Sequence, residues 1–210
     1  MSTGDCYQLN YWHNTNNRVG GDVMKTTLNE IRKHIPPTRA WNKLLKSLGK
    51  TKPDSEPLDL MHILNSNGLD DAIWALRCFN YLDYCLFLAD IAESVLPIYE
   101  KENDSQAPRN AIKAIRDYKA GRITKEVLDS YDADADAATY TTYTTYTTYA
   151  AYTTYAAVAA AADAANDSTA VAVFADAADA ADADADDYTA RLRKKEEIKQ
   201  LFIKHFGSEA

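Results

Sequence analysis

The stretch Thr139–Ala162 reads TYTTYTTYTTYAAYTTYAAVAAAA, with Tyr140, Tyr143, Tyr146, Tyr149, Tyr152 and Tyr155 at every third position. Its reading decides the fold, because such a tract is either a low-complexity tail or an unusual helix. It lies in a longer region, 126–190, that holds no Lys, Arg, Gly or Pro. Ala is the strongest helix former and dominates the second half of this region. Thr-Thr-Tyr alone is ambiguous with strand, but a strand requires a period of two, and this repeat has a period of three. Disordered segments are rich in Pro, Gly, Lys and Glu, whereas this one is rich in Tyr and Val. The tract is therefore expected to be helical. Three residues of an α-helix advance about 300°, so each Tyr sits about 60° behind the last. The rings point successively around the whole helix, with small residues between them. Such a helix is not amphipathic and is expected to be central, with close neighbours on several sides. Its phenols then need partners, from Thr hydroxyls or Asp carboxylates. One reading is a packed helix with no site of its own. Another is a groove lined by Tyr143, Tyr146 and Tyr149, in which flat ligands such as nucleobases stack. A regular ice-binding face is disfavoured because the face rotates.

Charge divides the chain. Residues 126–190 hold Glu126 and twelve Asp, a sum of −13, while the rest hold 18 acids and 23 bases, a sum of +5. This is either internal charge matching or an acidic face offered to a basic partner. Asp132, Asp134 and Asp136 alternate, which scatters them around a helix. Asp176, Asp179 and Asp182 share a side and are the candidate partner-binding face, expected to be solvated. An EF-hand would need a Gly and a distal Glu that are missing, so no metal is assigned.

Outward from the repeat, the other segments also read as helices. Leu28, Ile31 and Ile35 have helical spacing and end at Pro36-Pro37. Thr38 is placed to cap a helix carrying Trp41, Leu44, Leu45 and Leu48, which stops at Gly49. Leu58–Asn65 is expected to be a short helix ended by Asn67-Gly68. Leu69–Tyr99 is apolar on nearly every side and predicts a surrounded helix, with Pro97 kinking or ending it. Pro108 suits a first turn, and Ile112, Ile115 and Tyr118 make one face up to Gly121. Thr124 is placed to cap the next helix. Asn166-Asp167-Ser168 predicts a turn, after which a last helix carries Leu192, Ile198, Leu201, Phe202 and Phe206. The polar N-terminal segment holds Tyr7, Tyr11 and Trp12, which predicts that it is pinned to the body. The fold class is all-α, a multi-helix bundle with long Ala/Thr/Tyr-rich central helices. One domain is expected over 1–210, with a variable part at 1–57, core helices at 58–123 and the long helices at 124–206.

Catalytic signatures are lacking. There is no glycine-rich phosphate loop, Cys-x-x-Cys, His-Glu-x-x-His or Gly-x-Ser-x-Gly. His13, His34, His62 and His205 are scattered, each expected to be an ordinary surface or core histidine. Cys6, Cys78 and Cys85 match no metal spacing and read as reduced residues of a cytoplasmic protein. No signal peptide or membrane span is expected, and nucleic acid is not favoured as a partner.

Two segments carry a resemblance: Leu58–Phe79, LDLMHILNSNGLDDAIWALRCF, and Ala89–Ile123, ADIAESVLPIYEKENDSQAPRNAIKAIRDYKAGRI. The elements Asn67-Gly68-Leu69-Asp70-Asp71-Ala72, Trp74-Ala75-Leu76-Arg77, Val95–Glu100 and Pro108–Ile112 resemble the immunity-protein family of bacterial polymorphic-toxin loci, which also occurs in phages. An Ala-rich tract of small-small-large triplets follows a Gly-x-Ile element there, as it does here after Gly121-Arg122-Ile123. Thr stands where the family has Ala through the Tyr repeat. The resemblance implies an all-α, non-enzymatic protein, without cofactor, that binds a toxin or other effector. Within that frame Arg77, Asp90, Glu93, Glu100, Arg109 and Arg116 either pair to fix helix register or line a pocket. Arg109 and Arg116, seven apart on one helix, are the candidate ligand residues for a phosphate, with Tyr rings stacking a base. The expected function is stoichiometric neutralisation of a protein effector, with an acidic surface steering a basic partner. The alternative is a sponge that sequesters a small nucleotide-type ligand, and a homo-oligomer is a third arrangement.

Overall fold

A computed structural model describes residues 24–139, 149–150, 153, 173, 175–181 and 188–207. The described residues form an all-α bundle with one minimal antiparallel ladder. Strand β1 (Lys25–Thr26) pairs with β2 (Leu58–Asp59) in the register Lys25↔Asp59 and Thr26↔Leu58. The ladder holds together the entries to helices α1 (Leu28–Lys33) and α3 (Leu60–Asn67). Thr27 caps α1 by accepting from the Glu30 amide, and Asp59 caps α3 by accepting from the Met61 amide. Leu58 and Asp59 were expected to open a helix. Instead they extend, because the Asp59 carboxylate fixes the helix start one residue later.

Helix α1 stops short of Ile35. The residue before a proline is disfavoured in the right-handed helical region. Ile35 leaves the helix, but at φ +53 instead of the extended region that the following proline favours, and it is the one non-glycine residue with positive φ among the described residues. A branched side chain there costs about 1–2 kcal/mol. Ile35 was expected on the apolar face, yet it is 84% exposed. Helix α2 (Thr38–Ser47) follows, and its N-cap position is Pro37, so Thr38 does not serve as the cap. Trp41 and Leu44 are its buried side. At Gly49, φ +65, the chain turns back and the Lys50 amide bonds Leu45 O.

The apolar run from Leu69 is three elements rather than one. Helix α4 (Leu69–Trp74) passes into a 3-10 turn (Ala75–Cys78), and Phe79 is extended at φ −121 and ψ 162. The Asn80 side chain then caps α5 (Tyr81–Glu100) by accepting from the Leu82 amide at 2.9 Å. Helix α5 is the axis of the fold: Phe87, Leu88, Ala89, Ile91, Ala92, Val95 and Tyr99 are all fully buried. Pro97 lies inside it without ending it. Helix α6 (Ala107–Lys119), with Pro108 in its first turn, packs on α5 and buries Ala111, Ile112, Ala114 and Ile115. Gly121, φ +70, reverses the chain into α7 (Lys125–Thr139), which packs on α6.

The C-terminal helix α8 (Tyr188–Phe206) returns to α5. Phe202 and Phe206 meet Phe87 edge to face, at ring-centroid distances of 5.6 and 5.2 Å. Residues 149–150, 153, 173 and 175–181 are helical. Ala150, Thr153, Val173, Ala177 and Ala180 are at most 1% exposed, the close approach expected of small residues in central helices. Tyr140, Tyr143, Tyr146, Tyr152, Tyr155 and the turn expected at Asn166-Asp167-Ser168 lie outside the described residues, as do Cys6, Tyr7, Tyr11, Trp12 and His13. Burial pushes the Cys85 thiol up to about 11.

Candidate functional site

Asp90, Glu93 and Arg116 of the proposed polar residues meet where α8 reaches α5 and α6, and Arg109 and Glu100 pair further along α5 and α6. Arg109, in the first turn of α6, forks onto Glu100 near the end of α5: Nε donates to Oε1 at 2.9 Å and Nη2 to Oε2 at 2.7 Å. Two turns along α6, Arg116 donates through Nη2 to Asp90 Oδ1 at 2.8 Å and to Glu93 Oε2 at 2.7 Å. Asp90 is also reached from α8, with His205 Nε2 at 2.9 Å and Lys204 Nζ at 3.3 Å from Oδ2. Its carboxylate is 18% exposed and receives groups from two neighbouring helices. Burial alone would raise its pKa. Hydrogen bonds from His205 and Arg116 overcome that and hold it well below the usual carboxylate range.

Lys194 adds a second tie between α8 and α5. Its ammonium donates to Ser94 O at 3.0 Å and to Ser94 Oγ at 3.3 Å, beside the turn where Pro97 supplies no amide to the ladder. Arg77 stacks on Trp74 at 4.1 Å and donates Nε to Trp74 O. Arg109 and Arg116 thus stand on one side of α6 as the spacing requires, each facing carboxylates of α5. Lys194, Lys204 and His205 join this junction from residues that carried no site signal in the sequence.

The other candidates are dispersed. Tyr149 is half-buried and packs against the core, while Tyr143 and Tyr146 lie outside the described residues. Asp176 and Asp179 belong to the helical stretch 175–181 beside the buried Ala177, Ala178 and Ala180. Both are half-buried rather than solvated, and Asp179 pairs with Arg191 of α8. Asp182 is outside the described residues. Burial lifts the Asp176 carboxyl to about 6. A carboxyl whose folded pKa is raised binds protons more tightly folded than unfolded, so stability falls as pH rises from about 4 to 6. Asp176→Asn is expected to stabilise the chain at pH 7 by about 1–2 kcal/mol, after allowing for residual solvent contact. The gain should vanish near pH 4 in paired urea titrations; a gain that persists there would refute burial as its cause.

Among the described residues no group of three or more His, Cys, Asp or Glu is placed to hold a metal. A cavity of about 20 Å³ lies between α2, α3 and α4, lined by Pro36, Trp41, Leu44, Ile63 and Trp74, with room for about one water. No helix among the described residues is long and apolar enough to cross a membrane. No family model, curated protein or solved structure matches the chain.

Proposed function

We propose that the chain is a non-catalytic binding protein of conflict between bacteria, or between phage and host. It neutralises a toxin or other effector by stoichiometric binding. The resemblance of residues 58–123 to immunity proteins supports this direction. The structural observation that carries it is the commitment of Arg109 and Arg116 to Glu100, Asp90 and Glu93. These arginines tie α6 to α5, and with Lys204, His205 and Lys194 they fix a rigid frame. A preorganised frame loses little entropy when it docks a partner. The half-buried Asp176 and the paired Asp179 give no support to their acting as a steering face.

A second reading, the nucleotide sponge, is favoured by one observation. The Tyr99 hydroxyl is fully buried with no hydrogen-bond partner among the described residues. Such a group is satisfied by a water or by a ligand atom. A phosphate at Arg109 or Arg116 would first have to displace carboxylates.

Co-expression with candidate toxin effectors, followed by native mass spectrometry, separates the two. A one-to-one protein complex together with restored growth is the expected result. Restored growth with a nucleotide-sized mass increment and no complex would replace this reading with the sponge. A clean apo mass with no protection would overturn both.

A further inference from the structure

The turn between α1 and α2 combines three features that the fold does not use. Ile35 holds a left-handed conformation, φ +53, that favours Gly or Asn and is rare for a branched residue. Its side chain is 84% exposed, so no core contact explains the choice of Ile. The strain is maintained from both sides: the Ile35 amide bonds Arg32 O, and Pro36 is buried behind it. Backbone strain held in place at the surface marks functional positions.

Around this knob bases outnumber acids, although Glu30 pairs with Lys33, and Asp54 and Glu56 with Lys50. Residues 24–53 contain eight bases and only Glu30 as an acid, a net charge of +7 in a chain of net charge −8. Arg39, Lys43 and Lys46 follow one another along the solvent side of α2, and Arg32 and Lys33 are exposed on α1. Arg32 is held over the Trp41 ring at 5.5 Å. A self-paired copy would set like charges against like.

We propose that this basic face, centred on Ile35, docks an acidic protein surface that offers an apolar socket for the Ile35 side chain. Charge complementarity selects the acid, and the rigid, pre-placed isoleucine supplies the anchor. A polynucleotide fits less well. Its phosphate backbone offers charge but no apolar socket for an isoleucine side chain. The proposal rests on the binding-protein reading above and gives it a surface. Its probe needs no effector, so a clean apo mass overturns that reading while this one is decided separately.

The test compares poly(Glu,Tyr), polyglutamate and a short DNA duplex as ligands of the full chain at low salt. The acidic copolymer with apolar side chains is expected to bind at least about tenfold tighter than polyglutamate, the margin that burial of one large apolar side chain supplies. Ile35→Asn should remove that margin while melting no lower than the wild type, since Asn tolerates the left-handed region. Arg39→Glu with Lys46→Glu should weaken both acidic ligands. Equal affinity for the two polymers, or no binding of either, overturns the proposal. So does tighter binding of the duplex that depends on Ile35, which would make nucleic acid the occupant. A dimer in sedimentation that Ile35→Asn dissolves overturns it in favour of a second copy.

Discussion

Phe202→Ala is expected to lower the unfolding free energy by about 4 kcal/mol. Phe202 is fully buried and its ring lies 4.7 Å from Phe206 and 5.6 Å from Phe87, so the truncation empties the centre of a three-ring cluster. The transfer term and the cavity term both act, because Phe87 is rooted in α5 and cannot follow the retreating α8. Each lost edge-to-face pair adds about 0.5–1.5 kcal/mol. Leu192→Ala, on the same helix but half exposed, should change stability by about 0.5 kcal/mol or less. Urea unfolding of the two variants checks both numbers. A loss below about 1 kcal/mol for Phe202→Ala would mean that α8 is not seated on α5 in solution.

This cluster also shows what the sequence disclosed and what it withheld. Ile198, Phe202 and Phe206 have helical spacing, so the buried face of α8 was legible; what that face packs against was not. Gly49 and Gly121 were readable as stops because a left-handed residue is needed after each helix, and Pro108 was readable as a start. The break at Phe79-Asn80 was missed. The apolar pattern runs through it at helical spacing, and only the Asn80-x-x-Asp83 capping signal marks a new helix. A two-residue ladder such as Leu58–Asp59 has no periodicity to detect at all.

The candidate site was legible to the same depth. Arg109 and Glu100 are nine residues apart across one turn, a spacing that invites a pair. Asp90 and His205 are 115 residues apart, and no local pattern joins them. The orientation of Asp176 and Asp179 was illegible for another reason. A helix built of Ala presents small apolar groups on every side, so no hydrophobic stripe indicates which carboxylates will be turned inward. Ile35 is the reverse case: the Pro-Pro that follows it argues against continuing the helix, yet its place in a helical spacing suggested burial.

Asp90→Ala is expected to destabilise the chain by about 2 kcal/mol at neutral pH, because it removes the carboxylate shared by Arg116 of α6 and by Lys204 and the His205 ring of α8. Arg116 keeps Glu93, whereas His205 and Lys204 lose the partner they share at Asp90. The loss should depend on pH in a direction that the junction dictates. The folded pKa of Asp90 lies below its unfolded value of about 3.9, so its contribution is complete above about pH 4. It fades as pH falls from there, when the unfolded chain takes up the proton more readily than the folded one. The difference between wild type and Asp90→Ala should therefore shrink as pH falls below about 4. A double-mutant cycle with Arg116→Ala, read by urea unfolding at pH 7, should return a coupling of about 1 kcal/mol or more. A coupling near zero would show that Arg116 serves Glu93 alone, and the junction would then be two separate ion pairs rather than one clamp across α5, α6 and α8.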